Sequence, residues 1–225
     1  MAENGALPQD PWAERLEALY APAILDVMEE RDMWHQALPP GFVAIDEAQR
    51  VAGPAFPYRF EVTPIRDRDV IISEILEAYE AAPAGSVLLA NAGVNPPWAA
   101  HFGELSANSC KVGGLRGAII DGGLRDGALV AATGFPVWYR YRTPIDVVGR
   151  YRITAVGEPV EIEGVRVALG DYLVADLDGV VVVPRDRLAE IVEAAEVCCA
   201  EESAIRERLA RRERALSLFK EAGRF

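Results

Sequence analysis

Lysine is nearly missing from this 225-residue chain: Lys111 and Lys220 are the only two. Any imine chemistry on a lysine amine therefore has two candidates in the whole chain. Histidine is as scarce, with His35 and His101 alone, and neither stands in an HxxxH or HExxH arrangement that would mark a zinc site. The three cysteines, Cys110, Cys198 and Cys199, form neither a disulfide framework nor a CxxC pair, so a reducing cytoplasm is expected. Positive charge is in deficit, 23 basic against 35 acidic residues for a net charge of −12. A field of that sign repels phosphate backbones and disfavours nucleic acid as the main partner, while leaving room for a local basic pocket. The opening MAENGALPQDPW carries neither a basic patch nor an apolar run, so no secretory leader is expected. No uncharged apolar run reaches about 18 residues, so no membrane span is expected either. Walker A, GxGxxG and GxSxG motifs are all missing.

What remains is a globular composition, 51% hydrophobic and 26% charged, long enough for one domain with a real core. Residues 1–10 read as a loose polar arm and 11–225 as a single α/β domain. Helices are expected from Trp12 to Tyr20, after Pro22, over 72–82 with Ile72, Ile75, Leu76 and Tyr79 facing in, and from Trp98 to Val112. The run 51–62 is interrupted by Pro54 and Pro57 and reads as an edge or irregular strand. Residues 86–93 and 118–121 read as buried strands. Turn signals at Gly157, Glu163-Gly164, Gly170-Asp171 and Asp178-Gly179 divide 151–184 into short strands. A long helix is expected from Arg185 to about Phe219, its charged second half either packing on a neighbouring subunit or closing its own domain. The second half has too little strand–helix alternation for a doubly wound nucleotide-binding sheet. One strongly curved mixed sheet is the expected core.

The sharpest local feature is RGAIIDGGLRDG at 116–127. Read alone, a buried strand ends at Asp121, Gly122-Gly123 turn the chain, and Arg125-Asp126 emerge from the turn. Arginine offers a planar fork for a carboxylate, and aspartate holds a hard cation such as Mg²⁺. Together they would clamp a 2-oxo acid; the plain alternative is a surface ion pair with Asp126 capping the next helix. Asn91-Ala92-Gly93 ends another strand, where turn amides would bind an anion or simply make a tight turn. Asp121 would orient Arg125 or a metal-held water, or serve an ordinary Asp-Gly turn. Asp176 and Asp178 read as turn residues, and Cys198-Cys199 as buried thiols within a helix.

The segments VAGPAF (51–56), GSVLLANAG (85–93), HFGELSANSCKVGGLRGAIIDGGLRD (101–126), GFPVWYRYRTP (134–144) and PVEIEGVRVALGDYLVADLDGVVVVP (159–184) carry a resemblance over residues 20–225. The chain resembles the superfamily that joins 4-hydroxy-4-methyl-2-oxoglutarate / 4-carboxy-4-hydroxy-2-oxoadipate aldolases with RraA-type regulators of ribonuclease activity. That resemblance implies a ββα swivelling-type fold in a homotrimer, or a hexamer of two trimers, with active sites at subunit interfaces. It implies Mg²⁺ or Mn²⁺ activating a small anionic 2-oxo acid, C–C cleavage through a pyruvate enolate, and accompanying oxaloacetate decarboxylation. Position by position, Arg125 would grip substrate, Asp126 would hold the metal shell and Asp121 would support its water. Asn91, Ala92 and Gly93 would face the substrate carboxylate, and Glu201 would reach in from a neighbouring subunit. The family pattern is a glycine, twenty residues, Arg-Asp, two residues, then an acid. Here Glu104 stands in the glycine position with Gly103 just before it, and Leu129 replaces the acid. These departures keep two other readings in view: a non-enzymatic RraA-type regulator of a ribonuclease or helicase, and a dehydratase, decarboxylase, hydrolase or isomerase on the same metal site.

Overall fold

The computed structural model describes residues 7–223; the first six residues of the expected arm lie outside the described residues. Within the rest of the arm, Asp10 accepts side-chain hydrogen bonds from the Trp12 and Ala13 amides and from the Tyr172 hydroxyl. It thereby caps α1 (Pro11–Glu17). Then follow α2 (Ala21–Glu29), β1 (Val43–Ala44), β2 (Val51–Val62), α3 (Arg68–Ala81), β3 (Val87–Asn91), β4 (Ala100–Phe102) and α4 (Glu104–Val112). The chain continues through β5 (Gly117–Leu124), α5 (Gly127–Thr133), β6 (Val137–Arg142), β7 (Tyr151–Val156), β8 (Val160–Ile162), β9 (Val165–Val167), β10 (Tyr172–Ala175) and β11 (Val180–Val183). It closes with α6 (Leu188–Ala210) and α7 (Ala215–Ala222).

Nine strands form one mixed sheet in the order β1-β6-β5-β3-β2-β10-β11, with β4 added on β5 and β7 on β2. The central run β2-β3-β5-β6 is parallel and its flanks are antiparallel. The sheet is curled, and strand alternation sorts its side chains. Leu89, Ile119, Trp138, Leu173 and Val182 fill the inner face, closed by Val160, Ile162, Val165 and Val167 of the β8–β9 hairpin. On the outer face, Phe56, Tyr58, Leu88, Ala118 and Ile120 pack under α3, α4 and α5. Ala52, Tyr172, Val174, Val181 and Val183 pack under α1, α2 and α6. Each buried aliphatic side chain contributes about 1.5–3 kcal/mol of transfer free energy, so this sorting fixes the register.

Several expectations change. β2 is central rather than an edge. Its prolines are tolerated because β10 pairs with it over Val51–Pro54 and β7 over Tyr58–Val62. Pro57 sits in the gap between those partners, with its carbonyl accepting from Gly157, so no ladder bond needs its missing N–H. The segment beginning at Trp98 is not helical at first: it runs through β4, placing His101 in a strand, and turns helical at Glu104. Gly122-Gly123 do not turn the chain. They form a bulge within β5, which runs on to Leu124. A Cβ on Gly123 would overlap the Ala99 carbonyl oxygen, so the strand approach needs glycine there. The terminal helix breaks at Arg211–Arg214, where Arg212 has φ +66°, separating α6 from α7. α6 closes its own domain, burying Leu188, Ile191, Val192, Ala195, Cys198 and Ile205.

Candidate active site

β5 delivers Arg125 and Asp126 to the start of α5, beside α3 and α4. The Arg125 amide is held by the Phe102 carbonyl at 3.0 Å. Its guanidinium lies 3.2 Å from Asp146 Oδ2 and 3.5 Å from Asp126 Oδ2, and Arg68 approaches the same Asp146 oxygen at 3.1 Å. Burial works to raise the Asp146 carboxyl, but the Val148 amide, Arg68 and Arg125 together bring it below the ordinary carboxylate range. Arg125 remains 34% exposed, enough for one side of its fork to meet a ligand. Asp126 has φ +55° and ψ +32°, a left-handed conformation that a non-glycine residue adopts at a cost of about 1–3 kcal/mol. It occupies the N-cap position of α5, yet its side chain caps none of the α5 amides and stays 42% exposed. The ion pair expected between Arg125 and Asp126 forms, and the capping role does not.

Gly103 explains how a second backbone comes so close. A Cβ there would lie 2.9 Å from Asp126 Oδ2 and 3.1 Å from Arg125 Cγ. It is the N-cap of α4, and no described side chain caps that helix. The first-turn amides of Glu104, Leu105 and Ser106 therefore lack intrahelical acceptors and favour an anion. They line, with Arg68, Arg125, Asp126 and Asp146, a cavity of about 200 Å³. The glycine that frames the Arg-Asp pair is thus Gly103, one residue earlier than the family spacing. Gly103→Ala is expected to push the Asp126 and Arg125 side chains aside, lowering ligand affinity at least about tenfold while changing Tm by only a few degrees. Calorimetric titration with pyruvate or oxalate beside thermal melting checks both.

The turn at Asn91–Gly93 is used differently. The Ala92 and Gly93 amides donate to the Asp121 carbonyl at 3.1 and 2.8 Å, and Asn91 Nδ2 donates to the Glu161 carbonyl at 2.8 Å. The turn is thereby tied to β5 and to the β8–β9 hairpin. Asp121 is buried, 3.3 Å from Arg140 Nε, and Arg140 also pairs with Glu163. Burial raises the Asp121 carboxyl; Arg140 and the Gly93 amide pull it down, and Glu163 pushes it up. Asp121 therefore has Arg140 as its ionic partner, while Asp146 holds Arg125. Asp146, Arg68 and Arg140 escaped the sequence reading, because isolated charges in TPID, RDRD and YRYR carry no spacing that marks a site.

His101 backs this region from the core. It is 2% exposed, its ring packed against Phe60 and Tyr151 at centroid distances of 4.9 and 4.6 Å. Nδ1 accepts the Gly123 N–H at 3.2 Å, pinning the β5 bulge, and Nε2 has no partner. Burial lowers its pKa to about 4. A Cβ on Gly122 would fall 2.6 Å from Nδ1, so glycine and histidine fit each other.

Lys111 donates to the Thr133 carbonyl at 2.8 Å at the end of α4, tying α4 to α5. Asp176 is structural: it accepts from the Ala21 and Asp178 amides, and its carbonyl accepts from the Trp138 indole. Cys198 is buried and Cys199 half-buried. Glu201 is exposed on α6, the helix that packs on α1 and α2. Among the described residues no group of three or more His, Cys, Asp or Glu could hold a metal ion. No helix among them is long and apolar enough to cross a membrane.

A curled mixed sheet covered by helices defines a class of α/β proteins. Within it, the chain belongs to the RraA-like family, whose Aldolase/RraA model matches residues 21–182. It is 29% identical to "Putative 4-hydroxy-4-methyl-2-oxoglutarate aldolase" of Halalkalibacterium halodurans, over 77% of this chain and 75% of that one. It is 36% identical to an uncharacterized protein of Methanocaldococcus jannaschii over 50% of this chain, a match spanning about half of that relative's length (53%). The solved structure of RraAS2 of Streptomyces coelicolor, described as an unusual member of the RNase ES inhibitor RraA family, superposes with a TM-score of 0.78 at 27% identity. That superposition covers 89% of this chain and 99% of that one.

Proposed function

We propose that the protein is a divalent-metal-dependent lyase that cleaves the C3–C4 bond of a 4-hydroxy-2-oxo acid through the enolate of pyruvate, with oxaloacetate decarboxylation as a companion reaction. The observation that carries this reading is the convergence on one cavity of Arg125, Asp126 and the uncapped first turn of α4. Asp126 fits a hard cation: its carboxylate caps no helix and is partly exposed, and Mg²⁺ is commonly held through one or two carboxylates with water and substrate oxygens filling the rest. Mg²⁺ or Mn²⁺ held there would supply electrophilic polarisation of the 2-oxo group. Arg125 and the α4 amides bind and orient the substrate carboxylate. The C4 hydroxyl loses its proton to solvent, the C3–C4 electron pair passes into the enolate, and C4 leaves as a carbonyl. A solvent proton returns to C3 and gives pyruvate. Arg125, facing the developing negative charge, lowers its energy. Lysine takes no part, in keeping with the engagement of Lys111 at the far end of α4. In this reading the site is completed between subunits of a homotrimer or hexamer, with Glu201 contributed by a neighbour and a cytoplasmic location.

The test is pyruvate release from oxaloacetate and from 4-hydroxy-4-methyl-2-oxoglutarate with Mg²⁺, Mn²⁺ or EDTA, corrected for the metal's background rate. Release is expected to stop with EDTA and to fall at least about 10²-fold in Asp126→Ala, in the range seen when an electrostatic stabiliser is removed. Equal rates with and without EDTA would refute the metal-enolate route. A second reading, a regulator that binds a ribonuclease or helicase, is favoured by Leu129, which stands 60% exposed on α5 where the family pattern has an acid. Absence of both turnover and metal binding would move the assignment there.

A further inference from the structure

The cavity beside Arg125 has a charge balance and an apolar wall that select among 2-oxo acids. Its charged residues form one chain of ion pairs: Arg68 to Asp146 at 3.1 Å, Asp146 to Arg125 at 3.2 Å, Arg125 to Asp126 at 3.5 Å. Both arginines are thus matched by carboxylates, and Glu104 on the same lining adds a further negative charge. One substrate carboxylate has Arg125 and the α4 amides to meet it. A second carboxylate on the same substrate would have only Arg68 left to meet it, in competition with Asp146, which already holds that guanidinium at 3.1 Å. Apart from His101 and Ser106, the uncharged wall is largely apolar. Along the apolar stripe of α3, Tyr79 enters the core, Ile75 is buried yet also lines this cavity, and Ile72 and Leu76 line it more openly, with Leu76 42% exposed. Leu105, 78% exposed in the first turn of α4, and buried Val147 complete it. Two exposed leucines lining the same cavity as an arginine-carboxylate cluster have the form of a small-ligand site, apolar with a few polar groups.

We propose that the slot between α3 and α4 receives the C4 substituent of the substrate, and that this substituent is an uncharged alkyl group rather than a second carboxylate. The inference rests on the lyase reading above and names its substrate class: monocarboxylic 4-hydroxy-2-oxo acids, cleaved to pyruvate and an aliphatic aldehyde. Ile72, Leu76 and Leu105 are specificity-determining residues in this assignment. Each added methylene that reaches them raises kcat/KM by about tenfold until the slot is full.

The experiment compares kcat/KM for 4-hydroxy-2-oxopentanoate, 4-hydroxy-2-oxohexanoate, 4-hydroxy-2-oxoheptanoate and 4-hydroxy-4-methyl-2-oxoglutarate in the wild type, Leu76→Arg and Leu105→Arg. Both positions are exposed on helices, so an arginine is accommodated in the fold. In the wild type the alkyl series is expected to rise with chain length and to exceed the C4-carboxylate substrate by more than about tenfold. The arginine variants are expected to lower the longer alkyl substrates by about tenfold and to raise the C4-carboxylate substrate by a similar factor. A wild type that prefers the C4-carboxylate, or variants that leave the preference ratio unchanged, would overturn the assignment while leaving the lyase reading intact. Failure of the wild type to cleave any of the four with either metal would refute the lyase reading and this assignment with it.

Discussion

Arg125→Ala is expected to lower kcat/KM for pyruvate-releasing substrates by about 10²–10³-fold, and Arg125→Lys to recover only part of that loss. The guanidinium does two things at once. It links Asp146 and Asp126 through contacts of 3.2 and 3.5 Å, and it leaves a partly exposed edge toward the cavity. A lysine supplies the charge but not the planar fork, so it satisfies one carboxylate or the ligand at a time. Removing the cation leaves Asp126 and Asp146 without their shared partner, and Asp126 then becomes more available to a divalent ion. The expected signature is a split: metal affinity, measured by Mn²⁺ titration, is unchanged or tighter in Arg125→Ala, while turnover and affinity for oxalate collapse. Asp126→Ala shows the opposite order, losing metal first. An Arg125→Ala protein with wild-type kcat/KM would remove the central anion-binding element of the proposed mechanism.

Legibility in the sequence tracks how local each determinant is. The buried runs VLLA, AII and VVVV announce strands because short continuous apolar runs need burial on both faces. The Arg-Asp pair is legible because it follows such a strand directly. What was hidden depends on partners distant in the chain. Pro54 and Pro57 read as an edge signal, and only the change of partner from β10 to β7 makes room for them in a central strand. The Gly122-Gly123 pair reads as a turn, yet the glycines serve close contacts with His101, Ala99 and Tyr141 inside a bulged strand. The turn at Asn91–Gly93 reads either as an anion binder or as a tight turn, and its Ala92 and Gly93 amides donate to the Asp121 carbonyl. The uncapped amides lie instead at the start of α4, whose only sequence signal is a glycine in place of a capping side chain. Asp146 lies 21 residues after Arg125, and nothing in its neighbourhood names it as the partner.

His101 should leave a separate mark on stability. Burial holds its folded pKa at about 4 against the ordinary 6.5. Between those values the unfolded chain takes up a proton that the folded chain refuses, so acidification favours unfolding. The contribution is fully present above about pH 6.5 and is lost as pH falls toward 4, a change of about 3 kcal/mol. Asp121 acts in the opposite sense, since its raised carboxyl takes up a proton more readily folded than unfolded. Asp146, held low, loses its contribution as the pH drops through its depressed value. Both are common to wild type and a His101 variant, so they cancel in the difference. His101→Asn keeps an acceptor placed for the Gly123 amide but does not titrate. It forfeits ring contacts with Phe60 and Tyr151, so it is expected to be less stable at pH 7, by about 1–3 kcal/mol. Its urea unfolding free energy is expected to fall less steeply from pH 6.5 to 4.5 than that of the wild type, the two curves converging as the pH drops. Parallel curves would mean that the ring titrates normally in the folded protein, and that the β5 bulge leading to Arg125 and Asp126 does not depend on an unprotonated Nδ1.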